Sequence, residues 1–223
     1  MTPTLLLHGA LGSKAQFDAI VAQLHNNPKY IALNFPGHGG QGSDGVFSTR
    51  LFAESVLAFM EEHGHDEADI FGYSMGGYVG LWLAWQYPER VRSVTTYGTK
   101  LEWNPDVASG MSRMFDPEKI EAKAPALAAS LAAAHGTTQW KTLCGQTAAF
   151  LHDLGAGLGL SAAAYAQISC PVRIIRGDQD HVVSDAESRA VAESIPQGRF
   201  EVLPGGKHLI EQVDPKVLAG LLA

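Results

Sequence analysis

Three widely separated stretches of this sequence carry the side chains that nucleophilic acyl transfer needs. Ser74 lies in Gly72-Tyr73-Ser74-Met75-Gly76, an acid stands at Asp178 or Asp180 behind Gly177, and His208 ends Gly205-Gly206-Lys207-His208. A serine hydroxyl is a weak nucleophile at neutral pH and needs an adjacent base. Histidine, with an unperturbed pKa of about 6.5, can take that proton and later return it to a leaving group. A carboxylate behind the imidazole fixes its tautomer and stabilises the imidazolium. Ser…Asp…His is one of the three known chain orders of such a set.

These residues can act together only if the fold brings them to one place. Asp69-Ile70-Phe71 reads as the core of a strand, and an apolar helix over about 75–87 follows the serine at once. That is the strand–turn–helix setting of a nucleophile elbow. Side chains two residues either side of the serine would collide with the neighbouring strand and helix, which explains Gly72 and Gly76. The turn aims the Met75 N–H and the positive end of the helix dipole at the reaction centre.

Around the elbow, strand and helix alternate. Thr4–Leu7, Tyr30–Leu33 and Val91–Tyr97 read as strands. Helices are expected over about 14–25, with Ser13 at the N-cap, and over 50–63, capped by Ser48 or Thr49. The alternation lapses at 101–168, an alanine-rich stretch whose clearest helices are 118–134 and 138–153. Gly155, Gly157 and Gly159 break it before a short run at 161–167. It resumes with strands at 172–176 and 199–203, a helix over 185–195 and a closing helix over 209–222. This pattern argues for an open, mostly parallel α/β sheet. In such sheets ligands bind outside the carboxyl ends of the strands, where Ser74, the acid and His208 all fall.

The chain resembles the α/β-hydrolase superfamily over nearly its whole length, in its small serine-esterase branch. Leu7-His8-Gly9-Ala10-Leu11-Gly12 is similar to the oxyanion loop, and Asn34-Phe35-Pro36-Gly37-His38-Gly39 to the D-x-P-G-x-G loop with Asn in place of Asp. Gly72–Gly77 is similar to the nucleophile elbow, Gly177–Val183 to the acid turn and Gly205–His208 to the histidine loop. The resemblance implies a three-layer α/β/α sandwich with a six-stranded, all-parallel sheet in the order 2-1-3-4-5-6. The chain opens at the family's third strand, without the antiparallel first hairpin. Residues 1–100 and 169–223 would form the core and 101–168 a helical cap.

The resemblance also implies a catalytic set of Ser74, Asp180 and His208. Oxyanion donors would be the backbone N–H groups of Met75 and Ala10, with Leu11 as the nearest substitute for Ala10. Asp178, Glu102 and Asp106 are competing positions for the acid. His8, His38 and His181 read as structural or peripheral, and His63-Gly64-His65-Asp66 as a solvated turn. For substrate contact the expected residues are Leu11, Tyr73, Trp103, Met114, Phe115 and Trp140; Met111, Phe150 and Leu154 are further large apolar residues of the cap.

The expected activity is hydrolysis of a small ester or related acyl compound through an acyl-enzyme. A C–C bond hydrolase, a lyase or a perhydrolase would use the same residues, and a ligand-binding protein on the same scaffold is the reading from another class. No cofactor and no metal is expected. Gly37–Gly42 lacks the lysine and spacing of a phosphate loop, and the glycines at 72–77 do not fit a dinucleotide fingerprint. Across 223 residues the net charge is −7, and no basic run suggests a nucleic-acid partner. The start of the sequence lacks the marks of a signal peptide, no apolar run is long enough to span a membrane, and Cys144 and Cys170 make no disulfide framework. The expected place is the cytoplasm and the expected partner a small-molecule acyl substrate.

Overall fold

The computed structural model describes residues 2–43 and 45–222. Strand β1 (Thr4–Leu7) leads through a 3-10 turn (Lys14–Phe17) into α1 (Asp18–Gln23). There follow β2 (Tyr30–Leu33), α2 (Thr49–Glu62), β3 (Ala68–Tyr73), α3 (Met75–Gln86) and β4 (Val91–Tyr97). Five helices come next without a strand: α4 (Pro105–Ser112), α5 (Pro117–Lys123), α6 (Pro125–His135), α7 (Gln139–Asp153) and α8 (Ala162–Ala166). Then come β5 (Val172–Gln179), α9 (Asp185–Ser194), β6 (Gly198–Lys207) and α10 (Pro215–Leu222). The six strands form one sheet in the order β2-β1-β3-β4-β5-β6, and every pairing is parallel. Order and direction are those expected from the sequence.

Alternation along each strand sends neighbouring side chains to opposite faces. Leu5, Leu7, Ile70 and Ile174 pack with Phe52 and Val56 of α2, Val79 and Leu83 of α3 and Ala192 of α9. Leu6, Phe71 and Ile175 face the other way, against Phe17, Ile20 and Leu218 beside α1 and α10. Helices therefore cover both faces, which is why the strands read as near-continuous apolar runs.

Several boundaries differ from the expectation. The helix expected over 14–25 is a 3-10 turn followed by α1, which ends at Gln23 before the positive φ angles of His25 and Asn26, 55° and 51°. Ser13 contributes no side-chain cap; its carbonyl accepts from Gln16 N–H instead. The helix expected over 118–134 divides at Pro125, which lacks an N–H and starts α6 at its first turn. Helix α4 was not expected, although Asn104 and Pro105 mark its start: Asn104 Oδ1 accepts from Val107 N–H at 2.9 Å. The closing segment is a 3-10 turn (Ile210–Gln212) and then α10. No helix among the described residues is long and apolar enough to cross a membrane.

Candidate active site

Ser74 occupies the turn between β3 and α3 with φ 49° and ψ −114°. A non-glycine residue in such a conformation stores about 1–3 kcal/mol of strain and persists only when its surroundings hold it. Here three contacts hold it. Ser74 N–H donates to the Tyr97 carbonyl at 2.9 Å, and its own carbonyl accepts from Thr99 Oγ1 at 3.0 Å and from Gly77 N–H at 3.1 Å. The flanking glycines are dictated by space. A Cβ on Gly76 would lie 2.0 Å from the Leu7 carbonyl oxygen, and one on Gly72 would lie 2.3 Å from the Gly77 backbone. Met75 opens α3, so its N–H has no partner within the helix and sits at the positive end of the dipole.

Asp180 and His208 meet because β5 and β6 run side by side to their ends. Gly177 and Gly206 pack backbone to backbone; a Cβ on Gly177 would fall 2.1 Å from the Gly206 carbonyl oxygen. Just beyond them, His208 Nδ1 lies 2.9 Å from Asp180 Oδ2. The second carboxylate oxygen accepts from Val182 N–H at 2.7 Å and Val183 N–H at 2.9 Å. Burial pushes the Asp180 carboxyl up, but the His208 bond and the two backbone donors outweigh it and hold its pKa below the usual carboxylate range. An ionised Asp180 requires a proton on His208 Nδ1, which leaves Nε2 as the basic nitrogen.

The turn Gly9–Gly12 supplies the remaining candidate donor. Gly12 N–H closes it onto the Gly9 carbonyl at 3.0 Å, and Leu11 takes a positive φ of 55°. Gln16 braces the turn from one side: its Oε1 accepts from Gly9 N–H at 3.1 Å and its Nε2 donates to Glu211 at 2.5 Å. His135, at the end of α6, braces it from the other. Its Nδ1 accepts from Gly39 N–H at 2.9 Å, so its proton is on Nε2, which donates to the Leu11 carbonyl at 2.9 Å.

Ser74, Met75, Ala10 and His208 line one cavity of about 320 Å³. Of the residues expected to touch substrate, Leu11, Tyr73, Trp103, Met114 and Phe115 line it too. Trp140 does not, which corrects the expectation: it is 2% exposed and packs with Ile120, Leu131 and Cys144 in a small core between α5, α6 and α7. Its bulk holds the inserted helices to one another. Met111, Phe150 and Leu154 line the cavity.

Among the described residues none of the competing acids bonds to His208. Asp178 Oδ1 accepts from Gly205 N–H at 2.7 Å, and Glu102 and Asp106 are exposed. His8 is fully buried, its Nε2 accepting from Phe35 N–H at 3.1 Å and its Nδ1 donating to the Gly9 carbonyl at 2.8 Å. His38 stacks on Phe47 and donates from Nδ1 to the Pro36 carbonyl at 3.0 Å. His181 is exposed, and His63 bonds back to the Phe59 carbonyl at the end of α2.

Sequence reasoning missed the residues that hold the site in shape: Gln16, His135, Arg176 and the Lys100–Glu187 ion pair. Arg176 donates from Nη2 to the Asp180 carbonyl at 2.7 Å and from Nε to the Val183 carbonyl at 2.6 Å, clamping the acid turn. Of these, only Glu187 carried a signal, as the fourth residue of the capping pattern that Ser184 opens. The others act across distances in the chain that no local pattern encodes.

A family model described as alpha/beta hydrolase fold matches residues 2–145. The 3-oxoadipate enol-lactonase 2 of Acinetobacter baylyi is 26% identical over 223 residues, covering 90% of this chain and 80% of that protein. A probable alcohol acetyltransferase of Wickerhamomyces anomalus is 33% identical over 94 residues, which is 41% of this chain; the match spans only 27% of that relative's length. Among solved structures, the enol-lactonase from Burkholderia xenovorans LB400 superposes with a TM-score of 0.78 at 18% identity, covering 100% of this chain and 90% of that one, and so shares the fold.

Proposed function

We propose, from the premise that this chain belongs to the alpha/beta hydrolase family, that it is a serine hydrolase cleaving a small ester or related acyl compound through an acyl-enzyme. The observation that carries this reading is His208, which lines the same cavity as Ser74 and is backed by the buried Asp180 carboxylate at 2.9 Å.

In this reading Ser74 Oγ attacks the substrate carbonyl carbon while His208 Nε2 takes the hydroxyl proton. The carbonyl π electrons move to oxygen, and the N–H groups of Met75 and Ala10 stabilise that oxyanion, each worth about 3–4 kcal/mol in the transition state. Collapse expels the alkoxide, which takes the proton from His208. Water, deprotonated by the same nitrogen, then releases the acid and restores Ser74. Asp180 stays ionised and holds the imidazole in place. Helices α4–α8 and the turns that join them, which together supply Met111, Met114, Phe115, Phe150 and Leu154 to the cavity, act as its cap. A cytoplasmic place suits the two buried, unpaired thiols of Cys144 and Cys170.

The test is steady-state hydrolysis of short-chain aryl esters by the wild-type protein and by Ser74→Ala. The expected result is turnover that falls to background in the variant. Equal activity in the two proteins would refute the proposal.

A further inference from the structure

Among the described residues lining the cavity, Lys100 is the one side chain that carries a fixed charge. That charge is already answered. Lys100 Nζ pairs with Glu187, whose side chain is 2% exposed against 14% for Lys100. Both oxygens of Glu187 are in use: Oε1 accepts from Leu101 N–H at 3.3 Å, and Oε2 takes Lys100 and the Ser184 hydroxyl at 3.3 Å. Glu187 lies in the first turn of α9, where Ser184 caps the helix, so it is held on the backbone side as well. Lys100 therefore brings an already neutralised charge to the wall, with Glu187 behind it.

The mouth has the same character. Met114, Leu127 and Leu209 line the cavity, yet they are 54%, 48% and 50% exposed, forming an apolar rim. A carboxylate brought inside would lose water and find no free cation. Burial without a partner is the costliest fate of a charge.

Resting on the serine-hydrolase reading above, we propose that this site takes uncharged, apolar esters, and that Glu187 sets this preference by occupying Lys100. Glu187 itself touches no substrate; it acts by withholding the lysine. Replacing it by Gln keeps an acceptor for Leu101 N–H and frees the Lys100 ammonium to meet an anionic substrate group.

The experiment compares two pairs of esters, each differing only in a terminal methyl against a carboxylate. Methyl hexanoate against monomethyl adipate probes the acyl side, and butyl acetate against 4-acetoxybutanoate probes the alcohol side. The readout is kcat/KM from chromatographic detection of the products. The wild-type protein is expected to favour the uncharged ester of each pair by about 100-fold or more, the scale set by burying an unpaired charge. Glu187→Gln is expected to narrow at least one ratio by about tenfold, and Lys100→Met in the same chain to restore it. A merely structural role for Glu187 would slow both esters of a pair alike. A wild-type enzyme that turns over the charged ester as well as its neutral partner overturns the proposal without recourse to any variant. So does a folded Glu187→Gln protein whose ratios do not move. Turnover of no ester above the Ser74→Ala background overturns the serine-hydrolase reading itself, and this proposal with it.

Discussion

His135 ties the inserted helices to the loop that follows β1: its Nε2–H donates to the Leu11 carbonyl at 2.9 Å, while its Nδ1 accepts from Gly39 N–H at 2.9 Å. Leu11 holds a positive φ of 55°, a conformation a leucine keeps only under restraint. The imidazole restrains it from a residue 124 positions away in the chain. His135→Ala should therefore destabilise the protein by about 1–3 kcal/mol, through two partly buried backbone groups left unpaired. It should also lower kcat about tenfold as the Gly9–Gly12 turn, the proposed source of an oxyanion donor, loosens, with His135→Gln recovering part of both. Urea denaturation alongside ester kinetics checks this; a stable His135→Ala enzyme with wild-type kcat would contradict it.

The same histidine belongs to a buried group of three. The His8 and His38 rings are 4.8 Å apart and those of His38 and His135 6.0 Å apart. Burial, the largest cause in each case, depresses all three pKa values, with His38 falling to about 4. The unfolded chain then binds more protons than the folded one below pH about 6.5, so stability must fall as pH falls through that window. For His38 alone, which is fully buried, the loss between pH 6.5 and 4 is roughly 3 kcal/mol. His38→Phe keeps a ring against Phe47 and should flatten the dependence by about 1.4 kcal/mol per pH unit. Unfolding free energies measured at a series of pH values from 7 to about 4.5 decide it; an unchanged slope in the variant would refute the assignment.

Asp180 and Arg176 make a further pair of expectations. Asp180→Asn preserves shape but presents an amide to His208 Nδ1, which favours the wrong tautomer and should lower kcat by up to ~10⁴. Arg176→Met removes the donors to the Asp180 and Val183 carbonyls and should cost about 1–3 kcal/mol of stability, with a smaller loss in kcat. The ordering of these two variants in kcat is the check, and a larger catalytic defect in Arg176→Met would contradict both roles.

Much of the fold was legible because it rests on local signals. The apolar runs at Thr4–Leu7 and Val91–Tyr97 read as strands from composition, and the elbow from glycines that the Leu7 and Gly77 backbones forbid to be anything else. The Ser48 cap of α2 is visible in the sequence, and its hydroxyl accepts from Leu51 N–H at 3.1 Å. What escaped was of two kinds. The alanine-rich stretch gives α6 little amphipathic pattern, so its separation from α5 at Pro125 does not stand out, and α4 is only eight residues long, its start marked by Asn104 and Pro105 alone. The second kind is tertiary. Trp140 is large and apolar whether it faces a ligand or its own helices, and only packing tells which. His135 and Lys100 likewise acquire their meaning from partners 124 and 87 residues away.

The central claim, that Ser74 is a nucleophile activated by His208 and Asp180, is tested most directly by intact-mass and peptide analysis after treating the folded protein with a fluorophosphonate. The predicted result is a single adduct on Ser74, absent from Ser74→Ala and formed far more slowly in His208→Ala. A folded wild-type protein that takes no label, or one labelled at the same rate without His208, would contradict it.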